Sequence, residues 1–194
     1  MINFGDHSLF NDCMQTLKEI SIDNDNDQNM TESQLMAVNF DSVKERYVKE
    51  EQFFDGVDIK ENAIKGVKSV DAILKTKDGR LVFVEFKNGC IKRIKGDIKN
   101  KVKDSLLIIG DILNITIGAT RKSMDFILVY DESKNPEVQS SRVKIARGIS
   151  KKAGSEYVFF GMEDLKSIYF RKVYTLTKEE FNNYIKDNVE INAN

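Results

Sequence analysis

The sequence has little of several things, and each shortage removes a class of function. Among 194 residues there is a single histidine, His7. Histidine-based acid–base schemes and His-rich metal centres therefore have almost no material, and His7 reads as a surface residue. The two cysteines, Cys13 and Cys90, stand far apart in sequence and form no C-x-x-C pair. That removes a disulfide framework and a zinc site and leaves two plain thiols. With one proline, Pro136, and no Pro/Gly-rich stretch, the chain offers no candidate linker. The expectation is one domain over residues 1–194, long enough to bury a core without staples. No apolar run reaches membrane-spanning length, and the opening residues MINFGDHSLFNDC lack a basic n-region and an apolar h-region. The expected setting is the cytoplasm, with no membrane partner. A dominant charge is missing as well: 30 Lys+Arg against 31 Asp+Glu leave a net charge of −1. Any affinity for nucleic acid must then come from local charge. What remains, 41% hydrophobic and 31% charged residues, is the composition of a folded globular chain.

Against this background one stretch carries chemistry, Ser69 to Gly89, SVDAILKTKDGRLVFVEFKNG. Ser69–Lys75 and Leu81–Phe86 read as strands, and the Lys77-Asp78-Gly79 segment between them reads as a hairpin turn, because glycine accepts positive φ. Glu85 and Lys87 lie two positions apart and share a strand face. Whether Asp71 joins them depends on the loop. A two-residue Asp78-Gly79 turn sends Asp71 and Glu85 to opposite faces. A three-residue loop with Gly79 left-handed pairs Thr76 with Arg80 and Asp71 with Glu85, and this register is adopted. Two carboxylates and a lysine at a hairpin end suit a hard divalent cation. Mg²⁺ is held by one or two carboxylates together with water and substrate phosphate, and such a metal activates water near neutral pH.

An Asp on one strand followed after a hairpin by Glu-x-Lys on the next resembles the PD-(D/E)XK phosphodiesterase superfamily, which includes many restriction endonucleases. The resemblance spans about Asp41 to Tyr130 and departs from the family pattern at Val70, where the name-giving proline would stand. It implies a restriction-endonuclease-like α/β core, a mixed central sheet flanked by helices. It further implies a catalytic trio of Asp71, Glu85 and Lys87. Mg²⁺ or Mn²⁺ would be held by Asp71, Glu85 and the Phe86 carbonyl, with Lys87 orienting the attacking water or stabilising the pentavalent phosphate. Family members often add an acid from a helix ahead of the hairpin, for which Glu50, with Glu51 beside it, is the candidate. They also often add a polar residue from the helix that follows. There Lys101 and Ser105 fall inside the apolar stripe of Ile98, Ile109 and Ile112, and a lysine so placed must snorkel or find a partner.

From Lys87 to Lys103 seven basic residues face one acid, Asp97. Lys92, Arg93, Lys95 and Lys99 of this run are candidate phosphate contacts. The implied function is a metal-dependent nuclease acting on DNA before RNA, without a recognisable base-reading motif. The alternative is a nuclease-like interaction protein of a toxin, immunity or phage-defence system. A second copy of the chain or another protein is left open as a partner.

The rest of the chain supplies the frame. Phe10, Met14, Leu17 and Ile20 recur at helical spacing and predict a short helix. Asp23 to Gln34 places acids like an EF-hand loop but has Gln28 and Gln34 where the glycine and the bidentate glutamate belong, so residues 21–32 read as an acidic loop. Asp41 reads as N-cap of a helix to about Phe54. Gly56–Val67 reads as the first core strand and Asp97–Leu113 as a helix. Phe126–Tyr130, FILVY, reads as a strand covered on both faces. Pro136–Lys152 is a second basic helix, and Tyr157–Phe160 and Lys172–Leu176 are strands. Thr177 with Glu180 forms a capping box for a last helix over 177–187, ahead of a frayed tail.

Overall fold

A computed structural model describes residues 8–23, 28–49 and 66–189. A six-stranded mixed sheet forms the centre of the α/β fold, and helices cover it on both faces. Its strands are β1 (Met14–Thr16), β4 (Met36–Asn39), β5 (Ala72–Lys75), β6 (Leu81–Lys87), β7 (Met124–Tyr130) and β8 (Lys172–Thr177), neighbours in that order. Pairing is antiparallel from β1 through β6 and parallel for β6–β7 and β7–β8. Parallel neighbours need a crossover. The first is supplied by α4 (Ile91–Leu113) with α5 (Ile117–Ser123), the second by α6 (Ser141–Lys152).

β7 is buried at all seven positions, as an apolar run between two helical layers should be. Strand alternation sorts the neighbouring side chains. Phe83, Phe126, Leu128 and Tyr130 turn toward the α4 residues Ile98, Val102, Leu106 and Ile109. Val82, Val84, Ile127 and Val129 turn toward Leu17 of α2 (Leu17–Ile20) and toward Phe181 and Ile185 of α7 (Lys178–Asn188). The capping box that starts α7 is present in both directions between Thr177 and Glu180.

The turn between β5 and β6 has the three-residue form. The Thr76 N–H donates to the Arg80 carbonyl at 2.9 Å, the Gly79 N–H to the Thr76 carbonyl at 2.8 Å, and Gly79 has φ 81°. The ladder then runs Lys75–Leu81, Leu74–Val82, Ile73–Phe83 and Ala72–Val84. Asp71 lies in a bend one step beyond the last pair, with its N–H on the Val84 carbonyl at 3.1 Å.

Several expectations are corrected. The apolar spacing around Phe10 to Ile20 is not one helix but α1 (Ser8–Asn11), the edge strand β1 and α2. A capping box between Thr16 and Glu19 starts α2, and this local signal overrides the periodicity. Residues 21–32 are not a loop throughout, since β2 (Ile22–Asp23) pairs with β3 (Gln28–Asn29). The helix α3 (Phe40–Tyr47) is capped by Asn39, whose Oδ1 accepts the Ser42 N–H at 3.1 Å, and not by Asp41. The strand beside β5 is Met36–Asn39. Most of the expected strand Gly56–Val67 lies outside the described residues, as do Glu50, Glu51, His7 and the tail. α4 begins at Ile91, six residues earlier than expected. Pro136–Gln139 is a separate 3₁₀ turn ahead of α6, and Ile145 and Ile149 of α6 are exposed at 63% each. Tyr157–Phe160 is not a strand: the Phe159 N–H is satisfied by the Thr175 hydroxyl at 3.0 Å, and positive φ at Phe160 and Gly161 turns the chain away from the sheet.

Candidate functional site

The sequence of β6 alternates, and that alternation builds the centre. Leu81 and Phe83 turn to the α4 face, and Glu85, next in that series, is carried beneath the helix with 0% exposure. Lys87 follows on the same face, and its Nζ stands 2.7 Å from Glu85 Oε1. From α4, Lys101 reaches down so that its Nζ lies 2.9 Å from Glu85 Oε1 and 3.2 Å from Asp71 Oδ1. One ammonium thus joins the two carboxylates of the hairpin. The other Asp71 oxygen, Oδ2, accepts the Phe86 N–H at 2.6 Å, which fixes the carboxyl against the end of β6. Asp71, Glu85, Lys87 and Lys101 therefore meet as expected, although Asp71 reaches the group from a bend and not from a ladder position.

Ser105 acts on the main chain. Its Oγ, fully buried one turn beyond Lys101, accepts the Val70 N–H at 2.9 Å and holds the entry to β5 beside Asp71. The lysines contact Glu85 at ion-pair distance without hydrogen-bond alignment, and its Oε2 has no hydrogen-bond partner among the described residues. Burial, followed by the Asp71 carboxylate, pushes the Glu85 carboxyl up to about 7, against the pull of Lys87 and Lys101. For Lys101 burial works against the charge, but the carboxylates of Glu85 and Asp71 outweigh it and drive its pKa upward. Burial is the largest cause for Glu85, because its side chain has no contact with solvent.

Above this group opens a cleft of about 670 Å³. Asp71, Phe86 and Lys87 line it, while Glu85 lies beneath its floor. The Phe86 ring is turned away against Phe181, 5.4 Å between centroids. Three further acids line the cleft, and sequence reasoning misses all of them in this role: Glu19, Asp23 and Asp41. Asp41, on the first turn of α3, receives the Ser69 hydroxyl and lines the cleft. Glu19 is held by the Thr16 N–H at 2.9 Å, and Asp23 Oδ2 accepts from Asn88 Nδ2 at 2.9 Å. Asn88 is only 7% exposed, and its Oδ1 has no hydrogen-bond partner among the described residues. These residues come from three separate parts of the chain, and only the capping box at Thr16–Glu19 carries a local sequence signal.

At the near end of α4, Lys92, Arg93 and Lys95 are exposed and make no ion pair among the described residues. Lys99 differs, because its Nζ is tied to Asp164 Oδ2 at 2.6 Å. It is already engaged in a surface ion pair, unlike the other three. Comparison with protein-family models, with curated proteins and with solved structures finds no match. No helix among the described residues is long and apolar enough to cross a membrane.

The donors available for a divalent ion are hard oxygens: Asp71, Glu85 and the main chain of Phe86 at the cleft. Among the described residues no three acidic, histidine or cysteine side chains converge. Two carboxylates suit Mg²⁺ or Mn²⁺, which keep several waters, better than zinc or calcium, which demand a fuller protein shell.

Proposed function

We propose that the chain is a Mg²⁺- or Mn²⁺-dependent nuclease that hydrolyses phosphodiester bonds of DNA, with a PD-(D/E)XK, restriction-endonuclease-like core. The observation that carries this reading is the meeting of Asp71 and Glu85 under one lysine, with Lys87 on Glu85, at the floor of an open cleft. The strand order supports it: an antiparallel β4–β5–β6 meander is followed by a helix and a parallel β7, which sets the trio at one end of the sheet.

Asp71 and Glu85, with the Phe86 carbonyl, would hold the ion. The ion supplies Lewis acidity at the phosphoryl oxygens. Lys87, at 22% side-chain exposure, lines the cleft with its ammonium on Glu85, and would orient an attacking water and stabilise negative charge gathering on the phosphate. Lys92, Arg93 and Lys95 bind the backbone beyond the scissile bond. The cytoplasm is the proposed location.

One observation favours a second reading. Four carboxylates line the cleft against one lysine, and Glu85 is already matched by two ammonium groups. A nuclease-like interaction protein holding a cationic partner would present such a surface. Incubation of the protein with plasmid, single-stranded DNA and RNA, with and without Mn²⁺, separates the two. Cleavage that Mn²⁺ elicits and Glu85→Gln abolishes is the expected result. Absence of cleavage of every substrate, together with a melting temperature indifferent to Mn²⁺, would leave the interaction protein as the reading.

A further inference from the structure

The resemblance makes Lys101 an auxiliary contact for phosphate or water, but its position says something different. Its Nζ lies 3.2 Å from Asp71 Oδ1 and 2.9 Å from Glu85 Oε1, so both carboxylates turn one oxygen to the same ammonium. That is the place of a shared cation. A divalent ion of this class sits about 2.1 Å from its oxygen ligands, and one bound to this pair of oxygens overlaps the volume that the ammonium fills. Charge leads to the same exclusion, since a buried ammonium and a buried dication cannot share two carboxylates without strong repulsion.

Resting on the nuclease reading of this site, we propose that Lys101 is the resident cation of the Asp71–Glu85 pair and that metal enters only by displacing it. Metal-free protein is then held in a closed state in which Asp71 and Glu85 share the ammonium of Lys101, with Lys87 on Glu85. The displaced ammonium has somewhere to go. Asp97 lies one helical turn before Lys101, at the i,i+4 spacing at which helix side chains meet. Its carboxyl is held low first by the hydrogen bond from Lys68 and further by the charges of Lys101 and Lys87. Asp97 is half exposed, whereas Asp71 and Glu85 are not, so the exchange moves Lys101 from the floor toward solvent. In that position its charge lies beside Asp97 on α4, outside the residues that line the cleft.

The test uses the whole protein and Mn²⁺ alone. Titration calorimetry is run on wild type, Lys101→Met and Lys101→Arg, and lysine acetylation is mapped by mass spectrometry with and without the metal. Lys101→Met is expected to bind Mn²⁺ about tenfold more tightly or better, which corresponds to about 1.4 kcal/mol, while Lys101→Arg stays near wild type or weaker. In wild type, Lys101 is expected to be protected from acetylation without metal and to become several-fold more reactive at saturating Mn²⁺. Wild type that binds Mn²⁺ while Lys101→Met binds no better, or while Lys101 stays protected, overturns the displacement and leaves the metal site standing. Binding by Lys101→Met alone supports the displacement. If no form binds, the nuclease reading falls with it. Should Lys101→Met fail to fold, acetylation of the wild type decides.

Discussion

Glu85 offers the sharpest quantitative check on the cluster, because its burial makes a signed statement about pH. Its carboxyl stands at about 7 in the folded protein, against 4.5 for an ordinary glutamate. Between those values the folded protein keeps a proton that the unfolded chain has released. The group's effect therefore favours the fold most below 4.5 and turns progressively unfavourable as pH rises toward 7. From pH 5.5 to pH 8 linkage gives a loss of about 2 kcal/mol, and the full gap amounts to roughly 3 kcal/mol. Glu85→Gln removes this titration while keeping the shape. It also leaves Lys101 with the Asp71 charge alone, as in wild type at pH 5.5, where Glu85 is itself neutral. The informative quantity is thus the change with pH, not the absolute stability. In EDTA, wild type should lose about 2 kcal/mol more than Glu85→Gln between pH 5.5 and pH 8, equivalent to roughly 4–8 °C in melting temperature for a chain of this size. Denaturation at both pH values and one ionic strength measures it. Parallel pH profiles for the two proteins would refute the argument and show that the two lysines keep Glu85 ionised in spite of its burial.

Two other substitutions test neighbouring parts of the reasoning. Ser105→Ala leaves the Val70 N–H buried beside Asp71 without its acceptor, and should cost about 1–3 kcal/mol in urea denaturation. Replacing Lys92, Arg93 and Lys95 together by Ala should weaken binding of a labelled duplex and flatten its salt dependence by about 0.9 for each phosphate no longer neutralised, whereas Lys99→Ala, already paired with Asp164, should leave the slope unchanged in fluorescence anisotropy.

The hairpin was legible because its signals are local. Gly79 can take φ 81° with ease, the three-residue loop fixes the register, and strand alternation then sets Glu85 and Lys87 on one face. The same holds for β7, whose apolar run admits only a covered strand, for the Thr177–Glu180 cap and for the stripe that turns Lys101 inward. Where competing local signals coexist, periodicity alone misled. Asn39 outcompeted Asp41 for the cap, and Thr16 cut an apolar series into strand and helix. What only the tertiary structure decided is how distant segments converge. The acids Glu19, Asp23 and Asp41 share a cleft with Asp71 because β1, β4 and the β2–β3 ladder fold beside the hairpin, and pairing across such distances leaves no mark on neighbouring residues. The depth of Glu85 is likewise a property of α4 lying over β6, and that depth, more than the Glu-x-Lys spacing, sets its proton affinity and places Lys101 between the two carboxylates.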